Sequence, residues 1–231
     1  MKERIYSIPL AEALEETQGC ILCTLEKRLE EQAVEYFLGP SMMEPDSRKI
    51  TNEKGFCKRH MGMLFDKKNR LSLALMLETH VKELEKNLNI PKKSGLFLKE
   101  SPAKLLSDGI YRRISSCALC DKLDSQMRDA AGNLSYLWDK DEDFRKMFEN
   151  SEGLCLEHMA LTASECEKEI SGKKREEFLS MLAERQKEKL SSVYNDLHEF
   201  TLSFDYRNAD KELTSAQKES VHTAVKHLTK Y

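Results

Sequence analysis

The chain contains few of the residues that interrupt helices, and it has no long apolar segment. Only nine glycines and five prolines occur among 231 residues. With 40% hydrophobic and 33% charged residues, this shortage favours a helix-rich globular protein over an all-β or disordered one. No stretch of eighteen apolar residues is present, so the sequence predicts no membrane-spanning helix.

Neither an excess of positive charge nor a secretion signal is visible. The formal net charge is −3, so nucleic acid would meet no overall attraction and is not expected as a partner. The segment MKERIYSIPLAEALEE carries charged residues throughout, unlike the apolar core of a signal peptide. We therefore expect a cytoplasmic protein without membrane attachment, whose seven cysteines are thiols or metal ligands rather than disulfides.

One cysteine–histidine pattern occurs twice and organises the rest of the sequence. A CxxC pair is followed about thirty residues later by GxCxxH, in GCILC and GFCKRH and again in SCALC and GLCLEH. Each member of the first copy has its counterpart 97 or 98 positions later. The eight candidate metal ligands are Cys20, Cys23, Cys57, His60, Cys117, Cys120, Cys155 and His158.

Three thiolates and one imidazole in closely spaced pairs are the donor set of a closed tetrahedral zinc site. We expect each copy to complete its own site, with two ligands from its CxxC and two from its CxxH. The prediction is two structural Zn²⁺ ions per chain. A full shell leaves no position for a catalytic water, which argues against hydrolysis at either metal. Filling both sites would take the formal charge from −3 to −5.

Other uses of these cysteines stay open at this point. An iron–sulfur cluster or a single iron ion could take three cysteines and a histidine, although four cysteines are the commoner set. A dithiol redox centre of the thioredoxin kind requires a strand beside its CxxC, and no alternation of strands and helices is visible. Zinc thiolates that release metal on oxidation would make a redox sensor. Cys166 is the odd cysteine, and we expect a partly buried, unreactive residue.

The spacing of apolar residues predicts an all-α fold. They recur every three or four positions over 21–38, 71–88 and 173–204, and a short final helix is expected with Ser215 as its cap. The stretch 89–104, with two prolines and a glycine, is interpreted as a linker. The predicted architecture is two metal-stapled helical repeats, over 1–95 and 96–231, the second extended by the long C-terminal helix and the final one.

Two stretches outside the cysteine pattern are candidates for a pocket or a partner surface. The segment 39–52, interpreted as a loop or a loop with a short turn of helix, has prolines and a methionine pair that the second copy lacks, so the metal site does not require it. The string FDYRN is the other stretch, and His80, interpreted first as a packing residue, joins them as a pocket candidate. The candidate residues are Met42, Met43, Glu44, Asp46, Arg48, His80, Asp205, Tyr206 and Arg207.

With these residues identified, the sequence resembles a family of bacterial proteins of unknown function. The resemblance covers essentially the whole chain and rests on the strings KERIYSIPLAEA at 2–13, CILC at 20–23, LGPSMMEPDSRKITNEKGFCKRHMGML at 38–64, NRLSLALMLETH at 69–80, CALC at 117–120, GLCLEH at 153–158 and FDYRN at 204–208. It implies that the eight ligands and the 39–52 segment belong to the family's pattern. It implies no activity.

Three functions follow as hypotheses. An interaction or adaptor protein with structural zinc, binding an unknown protein or small molecule, is favoured. An enzyme would need a pocket between the repeats in which Glu44, Asp46, Arg48 and His80 take part. A redox sensor would respond to oxidation through zinc thiolates or an iron–sulfur cluster.

Overall fold

The computed structural model of this chain describes residues 7–16, 19–88, 101–208 and 210–229. Every regular element in these ranges is helical, which confirms the predicted all-α class. None of the helices in these ranges is long and apolar enough to cross a membrane. The helices are α1 (Ser7–Glu16), α2 (Ile21–Leu38), α3 (Pro45–Lys54), α4 (Lys58–Asp66), α5 (Arg70–Asn87), α6 (Pro102–Ile114), α7 (Ala118–Lys140), α8 (Glu142–Glu149), α9 (Leu156–Glu169), α10 (Gly172–Leu202), α11 (Ser215–Lys218) and α12 (Ser220–Leu228), with 3₁₀ turns at Pro40–Met43 and Tyr206–Asn208.

Residue contacts divide the chain into two compact units. Unit 1 contains residues 1–27 and 126–231, and unit 2 contains residues 28–125. The chain passes from one unit to the other inside α2 and again inside α7. The boundary predicted at 95/96 lies outside the described residues, so the division into two repeats of 1–95 and 96–231 stays a prediction.

The long helices lie where the apolar spacing predicts them. Helix α2 covers 21–38 as predicted, while α5 and α10 each begin one residue before the predicted position. The apolar face of α2 is buried, as its residues Leu22, Leu25 and Leu29 show. Burying each such leucine contributes about 1.5–3 kcal/mol relative to exposure, so the pattern is sufficient to fix these helices.

The segment 39–52 is more helical than the predicted loop with at most a short turn of helix. Residues 40–43 form a 3₁₀ turn, and α3 then begins at Pro45 and ends at Lys54. Proline at the first helical position and Asp46 in the first turn both favour a helix start. The prolines of this segment therefore begin helical structure instead of excluding it.

Two other predicted element ends differ by a few residues. Ser101 caps α6 by accepting a hydrogen bond from the Lys104 amide, so this helix begins within the stretch predicted as a linker. Residues 89–100 of that stretch lie outside the described part. Thr214, rather than Ser215, caps α11, because its hydroxyl and the Gln217 side chain form a reciprocal capping box.

Each unit has buried apolar residues beside its cysteines. In unit 2 one core cluster joins Phe37, Leu64 and Met76 with Cys117. In unit 1 Phe148 and Phe178 are fully buried. The cysteines thus lie at the edge of close-packed regions, where a metal would stabilise helices that already pack together.

Candidate metal centres

The eight predicted ligands gather in two groups of four, each inside one unit. Within a group the sulfur and nitrogen atoms all lie within 4.8 Å of one another. Each group therefore offers three sulfurs and one imidazole nitrogen, and each could hold a metal ion. Centre 1, in unit 1, comprises Cys20, Cys23, Cys155 and His158, and centre 2, in unit 2, comprises Cys57, His60, Cys117 and Cys120.

The spacing of the donor atoms fits a tetrahedral metal. In centre 1 the Nδ1 atom of His158 lies 3.3–3.4 Å from all three sulfurs, and Cys23 Sγ lies 3.7 Å from Cys155 Sγ. In centre 2 the Nδ1 atom of His60 lies 3.3–3.4 Å from its three sulfurs, and one sulfur pair is 3.9 Å apart. Tetrahedral zinc bonded to sulfur at about 2.3 Å would separate sulfurs by about 3.8 Å, and a sulfur from nitrogen by about 3.5 Å.

The pairing of the ligands is crossed between the two copies of the pattern. The CxxC of the first copy meets the CxxH of the second in centre 1, and the reverse combination forms centre 2. The prediction that each copy completes its own site is therefore wrong, although all eight residues take part. Both pairings use one CxxC and one CxxH, so the spacing within a copy could not distinguish them.

Each long helix carries the chain away from its own CxxC before the next CxxH is reached. After the first CxxC, the 18 residues of α2 carry the chain about 27 Å away. The 10 residues of α3 span only about 15 Å, and α3 packs on α5. After the second CxxC, the 23 residues of α7 span about 35 Å and the 8 residues of α8 about 12 Å.

All four ligand pairs lie at helix starts. Cys57 and Cys155 are the N-cap residues of α4 and α9, and each is preceded by a glycine with positive φ, 60° at Gly55 and 79° at Gly153. Each CxxC lies at the start of a long helix, α2 or α7. The free amides and positive end of a helix N-terminus favour thiolates, so the local structure prepares the sulfurs to bind a cation.

Centre 2 is braced by hydrogen bonds from the segment that leads into α7. The Ala118 amide donates to the Gly55 carbonyl at 2.9 Å, and the Ser116 hydroxyl donates to the Lys54 carbonyl at 2.8 Å. The Arg113 guanidinium donates to the Glu53 carbonyl at 2.7 Å. These bonds bring the second CxxC directly beside the first CxxH.

Both histidines point their second nitrogen at a carboxylate of α2. His60 Nε2 lies 2.8 Å from Glu30 Oε1, and Arg59 Nη2 lies 2.6 Å from the other oxygen of Glu30. His158 Nε2 lies 3.4 Å from Glu26 Oε2. Carboxylates in this position fix the orientation of a metal-binding histidine and raise its basicity. The bond is shorter, and the carboxylate more fully buried, at centre 2.

These two glutamates were missed by the sequence interpretation. A signal was present, because Cys23, Glu26 and Glu30 lie three and seven residues apart and so share one face of α2. The corresponding positions of the second copy are Leu123 and Met127, both buried and apolar. The supporting carboxylates therefore break the symmetry of the repeat, and a search for repeated features could not find them.

Hydrogen bonds among the donor atoms shift the pKa values of the cysteines and histidines. The hydrogen bond to Cys117 raises the pKa of His60 to about 9, against the opposing effect of burial. Burial alone would raise the pKa of Cys117, but hydrogen bonds from His60 and from backbone amides lower it to about 6. In centre 1, hydrogen bonds from Cys20 and Cys23 lower the pKa of Cys155. Each group thus favours one thiolate, the form that binds metal, while the hydrogen bond to Cys155 raises the pKa of Cys23 and burial raises the pKa of Cys120.

Comparison with known proteins places the chain in a family. The profile of a family of unknown function, DUF6062, matches residues 1–231. The chain belongs to the DUF6062 family. This membership confirms the resemblance seen in the sequence and brings no activity with it. No curated protein and no solved structure matches the chain.

In this DUF6062 protein the 39–52 candidates do not converge on one point. Met43, Glu44 and Asp46 are exposed and Met42 is half-buried. Arg48 instead donates through Nη2 to the Leu75 carbonyl at 2.7 Å and to the Thr79 hydroxyl at 2.6 Å, both in α5. The His80 ring pairs through Nδ1 with the Asn52 carbonyl at 2.9 Å. Arg48 and His80 therefore attach α3 to α5.

The FDYRN candidates form a turn that ends α10. Asp205 accepts hydrogen bonds from the Arg207 amide and guanidinium, and Asn208 donates to the Leu202 carbonyl at 3.0 Å. Tyr206 projects into solvent with 86% of its surface exposed. The polar residues of the string thus bond mainly to one another.

Cys166 takes no part in either centre. Its side chain is fully buried in α9 and its thiol donates to the Ala163 carbonyl. Burial raises the pKa of this thiol. The low thiolate content agrees with the predicted unreactive character.

Paired ligand substitutions test the crossed arrangement. If Cys23→Ser and Cys155→Ser are combined, only centre 1 is lost, and we expect one metal ion per chain instead of two. Combining Cys23→Ser with Cys57→Ser removes a ligand from each centre and should leave none. Elemental analysis of the purified proteins gives these counts.

The same two variants also test the alternative, in which each copy of the pattern completes its own site. Pairing within each copy requires the opposite result, with no metal retained in the first variant and one ion in the second. The single variant Cys166→Ser is the matched control, and it should keep both ions because its thiol lies outside both centres.

Removing the supporting carboxylates should weaken metal binding unequally. We expect Glu30→Gln to lower the metal affinity of centre 2 by about 10–100-fold, the usual effect of replacing a residue that hydrogen-bonds a metal ligand. Glu26→Gln should lower that of centre 1 by less, because its contact is longer. Glu31→Gln, at an exposed position of α2, is the control. Competition with a chromophoric chelator measures the affinities, and equal affinity in all three variants would contradict the assignment.

Proposed function

We propose that this protein is a cytoplasmic interaction protein with two structural zinc ions. Each ion stabilises one of the two helical units. The observation that carries the proposal is the closed set of four protein ligands at each centre. Zinc is supported by the three sulfurs, the single histidine and the spacing of the donors, while iron–sulfur clusters more often take four cysteines. The seven free thiols agree with a reducing compartment.

A closed shell favours a structural over a catalytic role for the metals. Three protein ligands and an open position are typical of catalytic zinc, whereas four protein ligands leave no place for a water nucleophile. Each group also ties together the starts of helices that are remote in sequence. Cys20 and His158 are separated by 138 positions, and His60 and Cys120 by 60. Metal binding of this kind contributes directly to folding free energy.

The interaction role is supported by apolar side chains on the surface of unit 2. In the described part of the chain α6 has no buried residue, although it carries Ile110, Tyr111 and Ile114 along one side. Tyr111 is 65% exposed and Ile114 is 62% exposed. A cluster of exposed aromatic and aliphatic side chains is typical of surfaces that bind another protein.

The enzyme hypothesis has less support. Glu44 and Asp46 are exposed, whereas Arg48 and His80 are engaged with backbone carbonyls. These four residues do not form a nucleophile–base pair or an acid–base pair within hydrogen-bond reach of one another. We therefore prefer a binding role.

Metal analysis tests the structural zinc. Protein purified without air should contain two zinc ions per chain and show no absorption band in the visible range. A strong chelator should remove them and lower the midpoint of thermal unfolding, because structural zinc contributes on the order of 10 kcal/mol of apparent binding free energy. Circular dichroism during heating gives the midpoint.

Two results would count against structural zinc. Iron with a visible band would replace it with an electron-transfer or sensing centre. An unchanged unfolding midpoint after complete removal of zinc would show that the fold does not depend on the metal.

Site-specific photo-crosslinking tests the interaction surface. A benzophenone-bearing phenylalanine at position 111, in cells of the native host, should give a discrete crosslinked product of higher mass, since this position lies in the exposed apolar cluster. The same residue at position 31, exposed on α2 with Lys27 and Glu35 four positions before and after it, is the control. Crosslinking at neither position, or equally at both, would contradict a binding role for α6.

A further inference from the structure

A cavity of about 480 Å³ opens against centre 1. Its walls are entirely from unit 1, and three of the four centre 1 ligands, Cys20, Cys23 and Cys155, form part of its lining. This volume lies in the lower part of the range of small-molecule sites. The metal-binding sulfurs of centre 1 are therefore reachable by a small molecule.

The accessible sulfurs are those of the CxxC pair. Cys20 and Cys23 are half-buried, whereas Cys155 is only 2% exposed. Cys20 and Cys23 also lie one helical turn apart, with the Cys23 amide bonded to the Cys20 carbonyl at 3.1 Å. Two cysteines at this separation have the Cα distance that a disulfide requires.

The rest of the cavity lining is mostly polar and carries charges of both signs, Lys189, Lys226 and Glu152. His227, only 8% exposed, lines it and accepts a hydrogen bond from the Gln186 amide at Nε2. Lys189 and Lys226 also line the cavity, Lys189 paired with Glu152. Such walls suit a small molecule with oxygen acceptors lying over thiolates that carry negative charge.

Centre 2 provides a contrast within the same chain. Its histidine has the shorter carboxylate contact, 2.8 Å against 3.4 Å. Its CxxC, Cys117 and Cys120, is held beside the end of α3 by the hydrogen bond between the Ala118 amide and the Gly55 carbonyl. Loss of metal from centre 2 would have to break these supports. Each centre has two half-buried cysteines, Cys20 and Cys23 in centre 1 and Cys57 and Cys120 in centre 2. The features that single out centre 1 are its longer histidine–carboxylate contact and the cavity lined by its cysteines.

From these observations we propose that the cavity beside centre 1 is a reaction site where a small hydroperoxide oxidises Cys20 and Cys23 to a disulfide. This releases the metal of centre 1 and leaves centre 2 intact. The proposal rests on the zinc-binding function above, because it requires metal-bound thiolates. It adds a substrate class, small hydroperoxides, and predicts that centre 1 loses its metal before centre 2. Structural zinc alone implies neither.

The chemistry balances with the hydroperoxide as the only oxidant. One thiolate attacks the terminal peroxide oxygen, forming an S–O bond while the O–O bond breaks, and the departing alkoxide or hydroxide takes a proton from solvent. The neighbouring thiolate then attacks the sulfenic sulfur, forming the S–S bond, and the displaced hydroxide takes a second proton to become water. The two thiolates lose two electrons, and the peroxide is reduced to an alcohol, or to water, plus one water.

The experiment compares the two centres within the wild-type zinc-loaded chain. Hydrogen peroxide and cumene hydroperoxide are added separately, a chromophoric chelator follows zinc release, and alkylation with mass spectrometry reports which cysteines remain reduced. We expect one zinc to leave at least about tenfold faster than the other, together with a Cys20–Cys23 disulfide. Faster reaction with cumene hydroperoxide would assign an organic hydroperoxide, and faster reaction with hydrogen peroxide would assign the parent peroxide.

Two substitutions on α12 test the part played by the cavity. Thr223 lines the cavity but is no metal ligand, so Thr223→Trp should obstruct it and slow oxidative zinc release from centre 1 about fivefold or more. Val221→Trp places the same side chain on the same helix at an exposed position outside the lining. This control should react as the wild type does, and both variants should retain two zinc ions before oxidant is added.

The outcomes separate this proposal from the proposed function. A chain purified without zinc contradicts structural zinc itself. A chain with two zinc ions contradicts the reaction site alone if both leave at equal rates, if centre 2 reacts first, or if neither peroxide releases metal. Equal rates for Thr223→Trp and Val221→Trp would likewise overturn the role of the cavity.

Discussion

Four donor atoms from remote parts of the chain must meet within 4.8 Å at each centre, and this requirement governs the rest of the structure. A metal can bind only if the helix that starts at a CxxC and the helix that starts at a CxxH begin side by side. The glycines with positive φ, the N-cap cysteines and the Ala118–Gly55 bond all serve that meeting of helix starts. The packing of the helices between the ligand pairs therefore sets which CxxC meets which CxxH.

The two centres have the same ligands but unequal support. Centre 1 closes a span of up to 138 positions and centre 2 one of about 60. Because each doubling of a closed loop costs about 0.6 kcal/mol, chain length makes only a small difference between them. The histidine–carboxylate contact matters more, since a tenfold change in affinity is about 1.4 kcal/mol and such contacts alter affinity by about 10–100-fold. Both effects favour centre 2, and the second is the larger.

The helices and the identity of the eight ligands could be predicted from sequence because both are local. A stripe such as Leu22, Leu25 and Leu29 determines a helix, and a CxxC determines a ligand pair, without knowledge of the rest of the chain. The crossed pairing could not be predicted, because it depends on how the helices between the ligand pairs pack, as α3 does on α5, and no spacing of residues records that packing. The prolines at 40 and 45 suggested a loop, yet each begins a helical element. Glu26 and Glu30 were missed because their role appears only once His158 and His60 are placed in space.

The difference in carboxylate support between the two centres is the asymmetry on which the proposed difference in their reactivity depends. If both centres were equally supported and equally enclosed, any reagent that removed one metal would remove the other and unfold both units. The second copy replaces the supporting glutamates with Leu123 and Met127, so α2 alone supplies both carboxylates, at different distances. Under the proposal above, centre 1 would lose its metal while centre 2 kept its own. A cavity beside the less supported centre is consistent with that separation, because reactivity there costs the protein only part of its metal-dependent stability.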